Sequence, residues 1–258
     1  MRRTIFLAVL VVSSVWIGAS QLSQQATAPK AQVARVKSAA APDPLVEGFK
    51  KHTVASVADA VDQITGERGF MIHDMRPVVP GVVVGRAATA LVRPAPPEKA
   101  TPALAVQHSV QMIDNAKPGE VGVIVMEGSL DVAAIGGLMG TAAKSRGMAG
   151  MVIDGAVRDV AELRALGLSV YARAISPASA VSRYATVSQQ QPVLCGGVRV
   201  RPGDIIVAGE DGVVRVPQER AAEVLKRAEE IDERESKMVP YIKKFRSLQK
   251  AIEVFNRI

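Results

Sequence analysis

The segment Gly136–Leu163, GGLMGTAAKSRGMAGMVIDGAVRDVAEL, decides how the rest of the chain is read. Gly136-Gly137 frees the backbone for a tight turn, and Leu138 to Arg146 consists mostly of good helix formers. Lys144 and Arg146 fall in the last helical turn, where cations suit the negative end of the helix dipole, and Gly147 stops the helix. Met151-Val152-Ile153 is a short apolar run bounded by turn residues, as a buried strand requires. Asp154-Gly155 is then expected to turn the chain, so that Arg158 and Asp159 follow just past the strand end. A helix, a buried strand and a charged pair at its end predict an α/β domain with its chemistry in the loops.

The residues themselves state what that chemistry is. A glycine turn feeding a helix N-terminus offers unpaired N–H groups and a partial positive charge, which suit a carboxylate or phosphate. Arg158 adds a bidentate grip on the same anion. Asp159 has no use for an anion, so it either orients Arg158 or holds a divalent cation. The plainer alternative is a solvated charge pair that opens a helix, with Asp159 as its N-terminal cap. Both readings stand at this point.

Toward the N-terminus, MRRTIFLAVLVVSSVWIGAS has the layout of a secretory signal peptide over 1–20, with cleavage near Ser20. The apolar run is short for a membrane span of about 20 residues, so no stable anchor is expected after cleavage. Residues 21–42, rich in Gln, Ala and Ser, read as a flexible tether. The net charge is +7, but five basic residues and no acid precede Asp43, leaving +2 for residues 43–258. That balance gives no concentrated basic face, and no nucleic acid is expected as a partner.

Residues 43–258 suffice for one sizeable domain, and 48% hydrophobic residues with 3% aromatics imply a core of Val, Ala, Leu and Ile. The single Cys195 excludes an internal disulfide and reads as a small buried hydrophobe rather than a nucleophile. His52, His73 and His108 show no metal-ligand spacing, and no phosphate loop, nucleophile elbow or internal repeat is present. Val54–Ile64 reads as an amphipathic helix capped by Thr53 or Ser56, with Asp59 a capping or packing carboxylate. Gly81–Leu91 reads as a strand, His108–Ala116 as a helix, Val121–Met126 as a strand buried on both faces and Val170–Arg173 as another strand. Ile205–Val207 and Val213–Val216 flank Gly209-Glu210-Asp211-Gly212, a hairpin signal. Arg220–Lys237 is a charged helix, which Pro240 is expected to interrupt before a second basic helical segment. Glu127 and Asp131 either line the same cleft as Arg158 or stand in water, and Arg173 either meets an anion or pairs with a carboxylate.

GMAGMVIDGAVRD (147–159), the preceding GGLMGTAAKSR and the later CGGVRVRPGD and EDGVVRVP closely resemble the family of the regulator of ribonuclease activity A. That family also contains the 4-hydroxy-4-methyl-2-oxoglutarate aldolases, and its members are often mislabelled as dimethylmenaquinone methyltransferases. The motifs occur in the family's order and span roughly Asp43 to Lys237. The resemblance implies a single α/β domain over 43–258, a β/β/α sandwich resembling the swivelling phosphohistidine-type domain, assembled as a homotrimer or hexamer. It implies a lyase that cleaves a C–C bond next to the pyruvoyl group of a small α-keto acid, with Mg2+ or Mn2+ as Lewis acid, which the leader would place in the periplasm or outside the cell. Asp159 is the implied metal ligand and Arg158 the implied carboxylate clamp. Gly137, Leu138 and Met139 supply backbone amides near the developing charge, and Glu235 of a neighbouring subunit completes the metal site. The alternative is a non-catalytic member that binds a small carboxylate or a protein. The aldolases carry a carboxylate, then twenty residues, then Arg-Asp; here that carboxylate position is Gly137. The ribonuclease-regulator branch lacks the Asp after its Arg, so the chain follows neither pattern fully.

Overall fold

The structure, a computed structural model, describes residues 42–256. The expected leader over 1–20, and the tether apart from Pro42, lie outside the described residues. α1 (Pro44–Phe49) opens under the Asp43 carboxylate, which accepts from Leu45 N at 3.0 Å. α2 (Val54–Thr65) opens under Thr53, whose hydroxyl accepts from Ser56 N at 3.1 Å, and closes at Gly66 in the left-handed region. The chain then forms β1 (Arg76–Val79), β2 (Val83–Pro94), α3 (Pro102–Asp114), β3 (Val121–Met126) and β4 (Ala133–Ile135). α4 (Gly137–Ser145), β5 (Gly150–Val157), α5 (Val160–Ala165), β6 (Val170–Ile175) and β7 (Tyr184–Gln189) follow. Two hairpins, β8 (Val193–Cys195) with β9 (Val198–Val200) and β10 (Ile205–Gly209) with β11 (Gly212–Val216), lead into α6 (Ala221–Phe245) and α7 (Leu248–Phe255).

The main sheet is mixed, in the order β1-β6-β5-β3-β2-β10-β11. Strands β2, β3, β5 and β6 run parallel to one another, as helical crossovers require, while β1 pairs antiparallel with β6, β7 and β10 with β2, and β11 with β10. The twelve-residue β2 is the hinge of the sheet: residues 83–86 pair with β10, and residues 90–94 pair with β7 along the same edge. The end strands β1 and β11 approach one another, so the sheet curls toward a nearly closed barrel. β3 is buried along its whole length, in keeping with its unbroken VGVIVM run. One apolar cluster packs α3, α4 and α5 onto the sheet, and a separate one packs α1, α2 and α6 onto β10 and β11. The expected α/β class and the hairpin at Glu210-Asp211 are present.

Three local expectations are corrected. Asp154-Gly155 does not turn the chain, because β5 continues through both to Val157 with an irregularity between Ile153 and Ala156. Strand pairing on both sides overrides the turn signal. The Asp154 carboxylate is satisfied inside the sheet by Arg173 Nη1 at 3.0 Å and Gly196 N at 2.7 Å. Pro240 does not interrupt α6, which runs to Phe245 and ends at Arg246 in the left-handed region. Pro240 and Ser236, whose carbonyl loses its helical donor, are both exposed on the solvent side of the helix. Helix α3 begins six residues before His108, under a Thr101 cap with Pro102 in its first turn, and ends at Asp114. Likewise β2 starts and ends later than the expected Gly81–Leu91.

Candidate functional site

The site is assembled by two parallel neighbours, β4 and β5, whose carboxyl ends stand side by side with Ile135 opposite Val157. Past β4 the chain turns through Gly136 into α4, and past β5 it enters Arg158-Asp159; Arg158 N donates to Ile135 O at 3.1 Å. The three residues of β4 are too few to show a period of two, which is why the sequence does not reveal this strand. Asp159 adopts the left-handed region, with φ 54° and ψ 40°, which Asp tolerates better than most residues. That turn carries its carboxylate back across the gap, where Oδ2 accepts the Gly137 N–H at 2.9 Å.

Asp159 therefore does not cap α5, the helix it starts, and that alternative is set aside. It caps α4 instead, from 22 residues away. Gly140 N makes the first intrahelical bond of α4, to Gly136 O at 2.9 Å, so the N–H groups of Leu138 and Met139 precede the hydrogen-bonded turn. The Arg158 side chain lies against Gly136, with Nε 3.6 Å from Asp159 Oδ2, and is 43% exposed. The Leu138 and Met139 amides, without a hydrogen-bond partner among the described residues, a helix N-terminus and the Arg158 guanidinium lie at the same mouth as a carboxylate. Leu138, 89% exposed, and Ile175 leave an apolar rim beside it.

Side chains from the α5 end of the site come close to both glycines. A side chain on Gly136 would begin on Asp159 Oδ2 and lie 3.0 Å from Arg158 Nε; one on Gly137 would begin on Glu162 Oε2. Glu162, in the first turn of α5, is the residue that sequence reasoning missed. Its spacing of three from Asp159 was the available signal, since residues three apart on a helix share a face.

The remaining candidates are placed elsewhere. Glu127 pairs with Arg93, and Asp131 accepts from the Ser129 hydroxyl at 3.1 Å while its backbone carbonyl accepts from the Ser176 hydroxyl. Arg173 takes the structural alternative, gripping Asp74 through Nε and Nη2 and Asp154 through Nη1. Arg173 hydrogen bonding holds the Asp74 carboxyl below the usual carboxylate range. Asp59 sits in mid-α2, whose cap is Thr53. His52 Nδ1 meets Asp232 at 2.6 Å, on the α6 side of the molecule. Cys195 is fully buried against Met71 Sδ at 3.7 Å, and burial pushes its thiol well above its ordinary value. Glu235 is exposed on α6, which packs with α1, α2, β10 and β11 in a different apolar cluster from that of α4 and α5.

The donor chemistry fits one kind of ion. Among the described residues no group of three or more His, Cys, Asp or Glu is disposed to hold a metal, so an all-protein cage is not formed. The hard carboxylates of Asp159 and Glu162, both beside the Gly136-Gly137 backbone, suit a magnesium-like cation that keeps waters and takes oxygens from substrate.

Known proteins share this arrangement of elements. A family model described as RraA-like, Aldolase/RraA, matches residues 54–215. A Halalkalibacterium halodurans protein named "Putative 4-hydroxy-4-methyl-2-oxoglutarate aldolase" is 37% identical over 113 residues, 44% of this chain and 53% of that protein. The chain thus spans about half of that relative's length. Among solved structures, Streptomyces coelicolor RraAS2, described as an unusual member of the RNase ES inhibitor RraA protein family, is 27% identical. It superposes with a TM-score of 0.67 over 76% of this chain and 96% of its own. An uncharacterized protein from Pseudomonas syringae pv. tomato is 29% identical, with a TM-score of 0.70 over 80% of this chain and 96% of its own.

Proposed function

The chain belongs to the RraA-like family, and on that premise we propose that it is a divalent-metal-dependent lyase acting on a pyruvate-type α-keto acid. Its reaction is C–C cleavage next to the pyruvoyl group, of the 4-hydroxy-4-methyl-2-oxoglutarate aldolase or oxaloacetate decarboxylase type. The observation that carries the reading is the pairing of opposites at one mouth. Asp159, fixed by the Gly137 N–H, stands beside Arg158 and the unbonded amides of Leu138 and Met139.

Arg158 holds the substrate carboxylate, assisted by the α4 N-terminus. The Leu138 and Met139 amides face charge that develops on the departing enolate. Asp159 orients Arg158 and holds the cation. When bound, Mg2+ or Mn2+ supplies Lewis acidity at the keto oxygen. The proposal extends to the assembly and location. The exposed Leu138 and Ile175 beside the mouth suit contact with another copy in a homotrimer or hexamer, where Glu235 of that copy completes the site. The leader over 1–20 directs the protein to the periplasm or outside the cell. The β/β/α layering of the swivelling phosphohistidine-type domain belongs to the same reading.

A second reading has Gly137 behind it, because the carboxylate that the aldolases carry there is missing. In that reading the same mouth binds a small carboxylate, or a protein, without turnover. Metal-stripped protein given oxaloacetate or 4-hydroxy-4-methyl-2-oxoglutarate separates the two. Pyruvate release that requires Mg2+ or Mn2+ and exceeds the metal-only background is the expected result. Saturable binding of either acid with no product would replace the lyase by the binder.

A further inference from the structure

Glu162 lies in the first turn of α5, and its carboxylate, like that of Asp159 just before the helix, reaches the Gly136-Gly137 backbone at the start of α4. Its carboxylate lies over the buried Gly137, where a side chain at 137 would begin on Oε2 and come within 2.9 Å of Cδ. Asp159 Oδ2 fills the matching space over Gly136. Glu162 has no hydrogen bond or ion pair among the described residues, unlike Asp159, which is tied to Gly137 N. Asp159 and Glu162 thus bring two carboxylates to the Gly136-Gly137 backbone, with Arg158 the cation placed against it by the same contacts.

We propose that Glu162 is the second carboxylate of the divalent-cation site, entering from α5 the space that a side chain at position 137 would occupy. The inference rests on the lyase reading above and adds a ligand to it. It also accounts for Gly137: the donor has moved to another element, and glycine is what leaves room for it. In the conformation seen, the Glu162 carboxylate occupies the space into which a side chain at 137 would grow.

Binding of Mn2+ to the metal-stripped protein, followed by the loss of the free-ion electron paramagnetic resonance signal, tests this without turnover. Loss of even an outer partner of a metal site costs about tenfold or more in affinity. Glu162→Gln is therefore expected to weaken Mn2+ by at least that factor, with no change in the melting temperature in chelator. Gly137→Asp alone gains no affinity, while Gly137→Asp combined with Glu162→Ala recovers most of what Glu162→Ala loses. If Glu162→Gln binds Mn2+ like the wild type while Asp159→Ala does not, the Glu162 assignment is overturned and the lyase reading survives. Wild-type protein that binds no Mn2+ removes both. An affinity loss that tracks a fall in the chelator melting temperature, with no recovery in the double variant, makes Glu162 a structural cap and also overturns the assignment.

Discussion

Asp159 turns its carboxylate away from the helix it begins and onto the first N–H of α4, and this one hydrogen bond joins the two halves of the site. Gly136→Ala would set a methyl group on Asp159 Oδ2. The carboxylate must leave, α4 loses its cap at a cost of about 1 kcal/mol, and pyruvate release should fall far more than stability does. Urea denaturation alongside initial rates checks this; full activity in a correctly folded variant would show that the hydrogen bond is dispensable. Cys195 offers a control at the same scale. With its thiol buried and its pKa raised, native protein should resist alkylation near pH 8 and react only once unfolded. The adjacency of Arg158 and Asp159 was plain in the sequence, as was the absence of a carboxylate at 137. The partners were not, because Gly137 and Asp159 meet only through the pairing of β4 with β5, and Glu162 meets Gly137 only through the packing of α5 on α4.

Elements with a local stop or start were legible. Thr53 caps α2, the Gly209–Gly212 turn closes the β10–β11 hairpin, and the apolar run of β3 is buried throughout. Where long-range pairing decides, local signals misled: Asp154-Gly155 reads as a turn, yet Arg173 and Gly196 hold it inside a strand. Arg173 bridges the loop before β1 to β5, so Arg173→Ala leaves Asp154, 14% exposed, without its cation and should cost about 3 kcal/mol. Its pH dependence follows from Asp74, whose pKa is depressed by the Arg173 hydrogen bond. That contribution is fully present above the ordinary carboxylate value of about 4 and is lost as pH falls through the lower folded value. The variant should therefore lose part of the wild type's acid-induced drop in stability, as read from urea midpoints between about pH 3 and pH 6. Pro240 gives the opposite sign. Proline within a helix costs up to about 3 kcal/mol, so Pro240→Ala should raise amide-exchange protection of the last turns of α6, where Tyr241 stacks on Phe245 at 4.5 Å. Unchanged protection there would mean that the α6–α7 packing, not the backbone, sets the stability of this end.

At the scale of the molecule, the fold sets two strand ends side by side and leaves a helix N-terminus, a guanidinium and two carboxylates at their mouth. The class of fold was readable from the alternation of helix and strand signals. The curl of the sheet that brings β1 toward β11 was not, since it depends on how β2 divides its edge between β10 and β7. In the proposed lyase, Arg158, Asp159 and the start of α4 form one catalytic site. Its most direct test is pyruvate release from oxaloacetate, with Mg2+ or chelator, by wild type, Asp159→Ala and Arg158→Ala side by side. The expected result is Mg2+-dependent release by the wild type, reduced to the metal-only background in Asp159→Ala and sharply lowered, with a raised KM, in Arg158→Ala. Release that persists in Asp159→Ala, or that ignores chelator, would contradict it.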